Sequence, residues 1–471
     1  WFKNNLDLLD TFERFEIHET DHFELFLHGT ESDLLETYLA PIAEEAYESL
    51  SRRYGGEPLL PVRAELFPSH ADFSVRTLGE AGLGALGVSF GRVLVMDSPG
   101  ARERGDYNWA SVFWHELAHT FHLAISDNRV PRWFSEGLAV HEQRKARQGW
   151  GHQVTIPFLR ALADGNLKKV SELNDGFMRP DYPEQVIFSY YQSSLVFEVI
   201  EDRYGFAAIR QMLEGYRSGE TTAELFKSLL SIDLEDFNQE FEEVLQDRFR
   251  TPLSGLAEMG EAPLSGSDIT ALEDYAKLHP GDFIGRLRLG AALVGEERYT
   301  DAQPHLEAAR NIFPDYGGPD SPYWYLAQAY NGVGDLTGAE QALSQLVQRS
   351  ESNYDAYTMH SDVLEQLGRP KEAADALDKA VLVWPYEIEL HQRLANLHAE
   401  VGNYPQALRE RAAAVALNPT DKAQALYALA IAYQEADDLT GARRAVLQAL
   451  EIAPNFDAAL ELLLTLRSGL S

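Results

Sequence analysis

Along the first hundred residues the spacing of apolar positions keeps changing. His22–His28 (HFELFLH) alternates apolar and polar residues and predicts a strand, as does Pro61–Phe67 (PVRAELF). Between them, over 34–54, Leu35, Leu39, Ile42, Ala46 and Leu50 recur at helical spacing and stop at Gly55-Gly56. A short helix is predicted over 71–78. Ala85–Phe90 (ALGVSF) and Arg92–Asp97 (RVLVMD) predict a hairpin turning near Gly91. Residues 1–20 mix apolar and charged side chains with no clean period. After a polar loop, SPGARERGDYN, the stretch Trp109–Ile125 (WASVFWHELAHTFHLAI) is apolar almost all the way round, the mark of a buried helix. From Ser135 onward only helical spacing is found, over Ser135–Ala146, Ile156–Asp164, Pro183–Tyr204, Phe206–Arg217, Glu220–Ser231 and Leu234–Phe249. The order predicts an α+β domain over residues 1–250, with a small mixed sheet followed by a helical subdomain.

Thr251–Ser267 (TPLSGLAEMGEAPLSGS) is rich in Pro, Gly and Ser and is expected to be a linker. Beyond it the pattern repeats. Gly334, Gly368 and Gly402 lie thirty-four residues apart, and five residues after each comes Ala339, Ala373 or Ala407. Ala302 and Ala442 fill the same place in units without the glycine, and prolines recur at Pro280, Pro314, Pro385, Pro419 and Pro454. This is the tetratricopeptide (TPR) signature. Five units are expected, at about 282–315, 319–352, 353–386, 387–420 and 421–455, with a half-unit over 268–279 before them and a closing helix over 456–467. Residues 268–471 are thus expected to form an all-α TPR solenoid, whose concave face would hold a protein partner. One departure is Glu351, which stands where the second unit should carry proline.

Apolar content of 45% and charged content of 24% permit an ordinary globular core. The net charge of −34 argues against nucleic acid and anionic membranes as partners. The absence of cysteine removes disulfides, thiolate ligands and a cysteine nucleophile, so any metal must be held by His, Asp or Glu. It also fits an exported bacterial protein, periplasmic or extracellular. No run of eighteen apolar residues suggests an integral membrane segment. The first residue, Trp1, suggests that a leader or N-terminal region has been removed.

The buried helix contains His115-Glu116-x-x-His119. Positions four apart share a helix face, so both imidazoles point at one spot, as a zinc ion requires, with Glu116 free to act on a bound water. The plain alternative is two satisfied core histidines, but imidazoles and a carboxylate carry a heavy desolvation cost in an apolar helix. Trp133-Phe134-Ser135-Glu136-Gly137-Leu138-Ala139 follows and offers Glu136 as a third ligand.

His-Glu-x-x-His followed by W-x-x-E-G-x-A resembles the gluzincin metallopeptidases, and most closely the compact peptidase MA-like branch, the minigluzincins. The resemblance covers roughly residues 20–250. It implies one Zn²⁺ per chain held by His115, His119 and Glu136, with Glu116 as the base that deprotonates its water. Ser135 stands where aminopeptidases place Asn, and no exopeptidase amine-binding motif lies upstream. Phe188-Ser189-Tyr190-Tyr191-Gln192-Ser193-Ser194 is similar to a Tyr-x-Gln-Ser segment that opens a helix near the metal in these proteins. Tyr190 is the best match for an oxyanion donor and Tyr191 its rival. By the same analogy the hairpin strand, at Ala85, Leu86, Gly87 and Val88, takes the place of the edge strand that binds substrate. His122, His141 and Glu142 could each orient a ligand histidine, or belong to the core or to a solvated helix face. The acidic run Glu235–Glu243 reads as a solvated face, because it lacks the spaced loop ligands of a calcium site.

The expected activity is a zinc-dependent peptidase, more an endopeptidase than an exopeptidase, acting on a peptide or protein substrate that the repeats recruit. A peptidoglycan stem peptide as substrate fits the same residues. The alternative from another class is a TPR scaffold whose metal-binding domain is weak or inactive; an intact Glu116 favours the enzyme.

Overall fold

The computed structural model describes residues 11–56, 58–79, 84–257, 268–318 and 320–468. Its N-terminal half is built on one five-stranded sheet. The strands are β1 (Phe15–Glu19), β2 (Phe23–His28), β3 (Val62–Phe67), β4 (Gly87–Phe90) and β5 (Val93–Asp97), in the order β1-β2-β3-β5-β4. β2, β3 and β5 run parallel, and the antiparallel β1 and β4 close the two edges. The sheet is therefore mixed, as expected. β1 lies within the stretch that shows no period. It is an edge strand, and outward-facing Phe12 and Phe15 pack with Phe26 and Phe67 on the outer sheet face. The hairpin strand begins at Gly87, so Ala85 and Leu86 precede it.

Helix α1 (Ser32–Tyr54) crosses the inner face of the sheet and ends on Gly55, whose φ of 64° suits a residue without a Cβ. After α2 (His70–Leu78) the chain enters α3 (Trp109–Ser126), the expected buried helix, capped by Asn108, whose side chain accepts the Ser111 N–H. α4 (Arg132–Ala146) packs against α3 on one side and α7 (Gln185–Tyr204) on the other. The helices between and after are α5 (Ile156–Ala163), α6 (Leu173–Met178), α8 (Phe206–Ser218), α9 (Thr222–Leu229) and α10 (Leu234–Arg248). On α10, Phe237, Phe241 and Leu245 face inward and leave the acidic run on the solvated side. The expected linker starts as a helix, α11 (Arg250–Ala257), because Leu253 and Leu256 find apolar partners in the core. The rest of it, 258–267, lies outside the described residues.

The repeats follow the expected units, from α12 (Ile269–Leu278) and α13 (Phe283–Gly295) to the closing α23 (Asp457–Ser468). Gly334, Gly368 and Gly402 take φ of 80°, 70° and 74° at the turn between paired helices, and Glu297 and Asp437 adopt the same left-handed conformation in the units without glycine. Ala302, Ala339, Ala373, Ala407 and Ala442 are all buried where the helices cross.

The solenoid does not hang from the first half; it is packed into it. One apolar core runs without a break from the sheet to the fourth repeat. Trp109, the first residue of α3, donates its backbone N–H to Leu382 O and its indole N–H to Val381 O, both at 3.1 Å. Tyr38 of α1 donates to the buried Glu410 carboxylate at 2.8 Å, and Tyr386 to Glu31 at 2.6 Å. These bonds join elements more than 270 residues apart in sequence.

A second network ties α1, α4 and α7 together. Arg53 donates to Glu142 at 2.8 Å and to both oxygens of Glu201 at 2.9 and 2.8 Å, and His141 Nε2 lies 2.5 Å from Glu201. His141 and Glu142 are thus buried rather than on a solvated face. Burial would raise the Glu201 pKa, but His141 and Arg53 hold it well below the usual carboxylate range. A carboxylate so depressed stabilises the fold above its ordinary pKa and loses that contribution as pH falls through and below it. Glu201→Gln should destabilise the protein by about 1–3 kcal/mol at pH 7. The gap to wild type, followed by chemical denaturation, should narrow once the pH falls below about 4.5.

Candidate metal centre

α3 and α4 bring three donor atoms to one point. His115 Nε2 and His119 Nε2 each lie 3.3 Å from Glu136 Oε2, and all the donor atoms lie within 4.8 Å of one another. Two ligands about 2.1 Å from a tetrahedral ion are ~3.4 Å apart, which the spacing of Glu136 from each histidine matches. Glu136 is placed by a close helix crossing. A Cβ on Gly137 would come 2.3 Å from Ser193 Cβ, so only glycine lets α4 lie this near α7. The glycine of W-x-x-E-G-x-A and the serine of Tyr-x-Gln-Ser interlock.

Ligation through Nε2 needs the ring proton on Nδ1, and both Nδ1 atoms have partners. His115 Nδ1 faces Gln143 Oε1 at 3.0 Å, and His119 Nδ1 faces Ser135 Oγ at 2.7 Å. On the His119 side every donor direction is fixed by its neighbours. The Glu142 carboxylate can only accept, so Tyr54 donates to it at 3.1 Å. The phenol oxygen then accepts from His122 Nε2 at 2.8 Å. Burial, together with His119 and His115, pushes His122 well below the usual imidazole pKa, so it is neutral and its Nδ1 accepts from Ser135 at 3.1 Å. Ser135 Oγ is left to accept the His119 Nδ1 proton. Ser135, His122, Tyr54 and Glu142 thus form one wire that sets the His119 tautomer, and Ser135 has a role here that its departure from the aminopeptidase pattern does not suggest.

Glu116 lies beside the donor atoms, buried, and one of its oxygens accepts from Ser89 Oγ of β4 at 2.8 Å. Burial pushes it up to about 7, against the pull of His115 and Ser89. A Cβ on Gly87 would sit 2.6–2.8 Å from Glu116 Cγ, Oε1 and Cδ, so the strand passes the carboxylate only because residue 87 is glycine. Val88 points to the opposite face of the sheet, against Phe67 and Phe73.

Of the two tyrosines, Tyr190 faces the centre. Its ring lies 6.3 Å from that of His115, whereas Tyr191 packs on Phe158 in the core at 5.0 Å. Burial, with the charge of Glu136, pushes the Tyr190 phenol well above its ordinary pKa despite Arg132, so it keeps its proton. Arg132 also donates to Glu136 Oε1 at 3.2 Å. His152, which no motif marks, stacks on Tyr190 at 5.1 Å, and burial followed by the nearby His115 pushes it down to about 4. Next to it opens a cleft of 740 Å³, walled by His152, Gln153 and Ile156 on one side and by Tyr316, Trp324 and Tyr354 of the repeats on the other.

Residues 102–247 match the Peptidase MA superfamily, and residues 326–386 and 423–456 match tetratricopeptide repeat families. No curated protein matches the chain. Among solved structures it is similar to YrrB, described as a TPR protein with an unusual peptide-binding site, at 20% identity over 42% of this chain and 98% of that one, with a TM-score of 0.33. It is also similar to MamA protein, at 16% identity over 36% and 90% with a TM-score of 0.29. A thermophilic TPR protein of Thermus thermophilus is 26% identical over 40% and 98%, with a TM-score of 0.22. The chain thus carries a Peptidase MA superfamily match in its first half, followed by tetratricopeptide repeats in its second.

Proposed function

We propose that this protein is a zinc-dependent peptidase whose repeats help to present its peptide or protein substrate. The observation that carries this reading is the convergence of three donor atoms, with Glu136 at ligand spacing from both histidines and each histidine held through Nδ1, and with the buried Glu116 carboxylate on the same helix. The Peptidase MA match over residues 102–247 supports it.

His115, His119 and Glu136 would hold the metal. Bound there, zinc supplies Lewis-acid polarisation of a carbonyl and an acidified water. Glu116, raised towards neutrality and anchored through one oxygen by Ser89, takes a proton on the other oxygen and delivers it to the departing amine. Tyr190 keeps its proton and donates a hydrogen bond to the oxygen on which negative charge builds. β4 is an open sheet edge beside Glu116, so an extended peptide can add to it as a further strand, with Ala85 and Leu86 continuing the track. The cleft shared with Tyr316, Trp324 and Tyr354 reaches His152, which stacks on Tyr190, so a segment held by the repeats there would lie near the centre.

Metal analysis should find about one zinc per chain. Glu116→Gln should keep it and lose hydrolysis of a peptide library by about 10²-fold or more, on the order of a general base's contribution. His115→Ala/His119→Ala should lose the zinc. Zinc binding by wild type with no peptide cleaved would reassign the protein as a scaffold.

Gly87→Ala should keep zinc while lowering kcat about 10²-fold, because it displaces Glu116. Tyr190→Phe should lower kcat by ~10²–10³-fold with little change in KM or metal content; a larger effect of Tyr191→Phe would overturn the assignment.

A further inference from the structure

Glu351, the residue that breaks the repeat pattern, lies in the loop between α16 (Leu336–Val347) and α17 (Tyr354–Gln366). Its side chain leaves the array and enters the first half of the protein. Oε2 accepts from Ser111 Oγ at 2.6 Å and from the Gly151 N–H at 2.8 Å, and the Glu351 carbonyl accepts from Asn108 Nδ2 at 3.0 Å. Asn108 and Ser111 form the cap and first turn of α3, the helix that carries both histidines. Proline could make none of the side-chain bonds.

The directions of these bonds are forced. Burial raises the Glu351 pKa, but its Oε2 already accepts the Gly151 N–H, so the Ser111 hydroxyl gives its proton to that same oxygen and its own oxygen is left to accept. Gln143 Nε2 donates to that oxygen at 2.7 Å and to the Ser111 carbonyl at 2.9 Å. With both amide protons turned to Ser111, Gln143 Oε1 faces His115 Nδ1, which must donate to it. His115 Nε2 is then the nitrogen presented to Glu136.

We propose that Glu351 is a positioning residue for the metal centre, orienting His115 through Ser111 and Gln143, so that the second repeat is part of the metal-holding device. The proposal rests on His115, His119 and Glu136 being a metal site. It gives the repeats a second task besides recruitment. Whatever shifts the loop at Glu351 alters the grip on His115.

The test uses the full chain. Wild type, Glu351→Leu, Ser111→Ala and Ser111→Thr are titrated with zinc against a chelating competitor, and the visible spectra of their cobalt(II) forms are recorded. Glu351→Leu removes the acceptor of the Ser111 hydroxyl proton, and Ser111→Ala cuts the wire. Each should weaken zinc affinity about tenfold or more, the usual effect of losing a partner behind a ligand, and should shift the cobalt bands. Ser111→Thr, which keeps the hydroxyl, should leave both as in wild type. Wild-type affinity and an unaltered spectrum in folded Glu351→Leu and Ser111→Ala would overturn the proposal alone. Failure of wild type to take up either metal would overturn the metal site and the proposal together. Should Glu351→Leu not fold, Ser111→Ala, which leaves the carboxyl group on Gly151, carries the test.

Discussion

Two buried imidazoles can present lone pairs to one point only if each Nδ1 proton has somewhere to go. Much of the interior is arranged around that requirement. Behind His119 the protons run through Ser135, His122 and Tyr54 to the Glu142 carboxylate, which Arg53 holds. Behind His115 they run through Gln143 and Ser111 to Glu351. Each wire ends on a carboxyl oxygen that accepts, so the polarity of the whole row is set from its far end. The two ends lie in different parts of the chain, one in the packing of α1 against α4 and the other in the repeats.

Glu116 is subject to the opposite constraint. Its carboxylate needs burial to keep its proton affinity near neutrality, yet it must remain reachable from the sheet edge. Gly87 reconciles the two, because a strand without a side chain at that point can cover the carboxylate while leaving its backbone free for pairing. Gly137 does the same for the third donor by letting α4 settle onto α7.

Much of the architecture could be read from the sequence, because it is encoded in local periods. The strands from His22 to Asp97, the buried helix and the thirty-four-residue repeat each leave a regular trace of apolar or small residues. β1 left little, since it is a five-residue edge strand with only Phe15 and Ile17 as apolar positions, and Ile17 is exposed. At the site, His115, His119 and Glu136 could be found because ligand spacing on two neighbouring helices is itself a local pattern. The wires behind them could not. Tyr54 and Glu142 are 88 residues apart, and Ser111 and Glu351 are 240 apart, so only the tertiary fold brings them together. Glu351 did leave one trace, as a missing proline, which marks an interruption without saying what it serves. The half-buried Tyr190 and the core Tyr191 are neighbours in one motif, and only the rotation of α7 separates their roles.

Trp109 opens the helix that carries both histidines, yet the carbonyl that takes its indole proton lies 272 residues further along the chain. During synthesis at ~5–20 residues per second, that carbonyl leaves the ribosome roughly 15–55 s after the tryptophan. Throughout that interval the start of α3 lacks its acceptors, and for most of it His115 lacks the end of its wire. The first half of the nascent chain therefore waits for the third repeat before its centre can be completed. A protein with this topology does not settle the orientation of its converging donor groups until much of the repeat array has also been made.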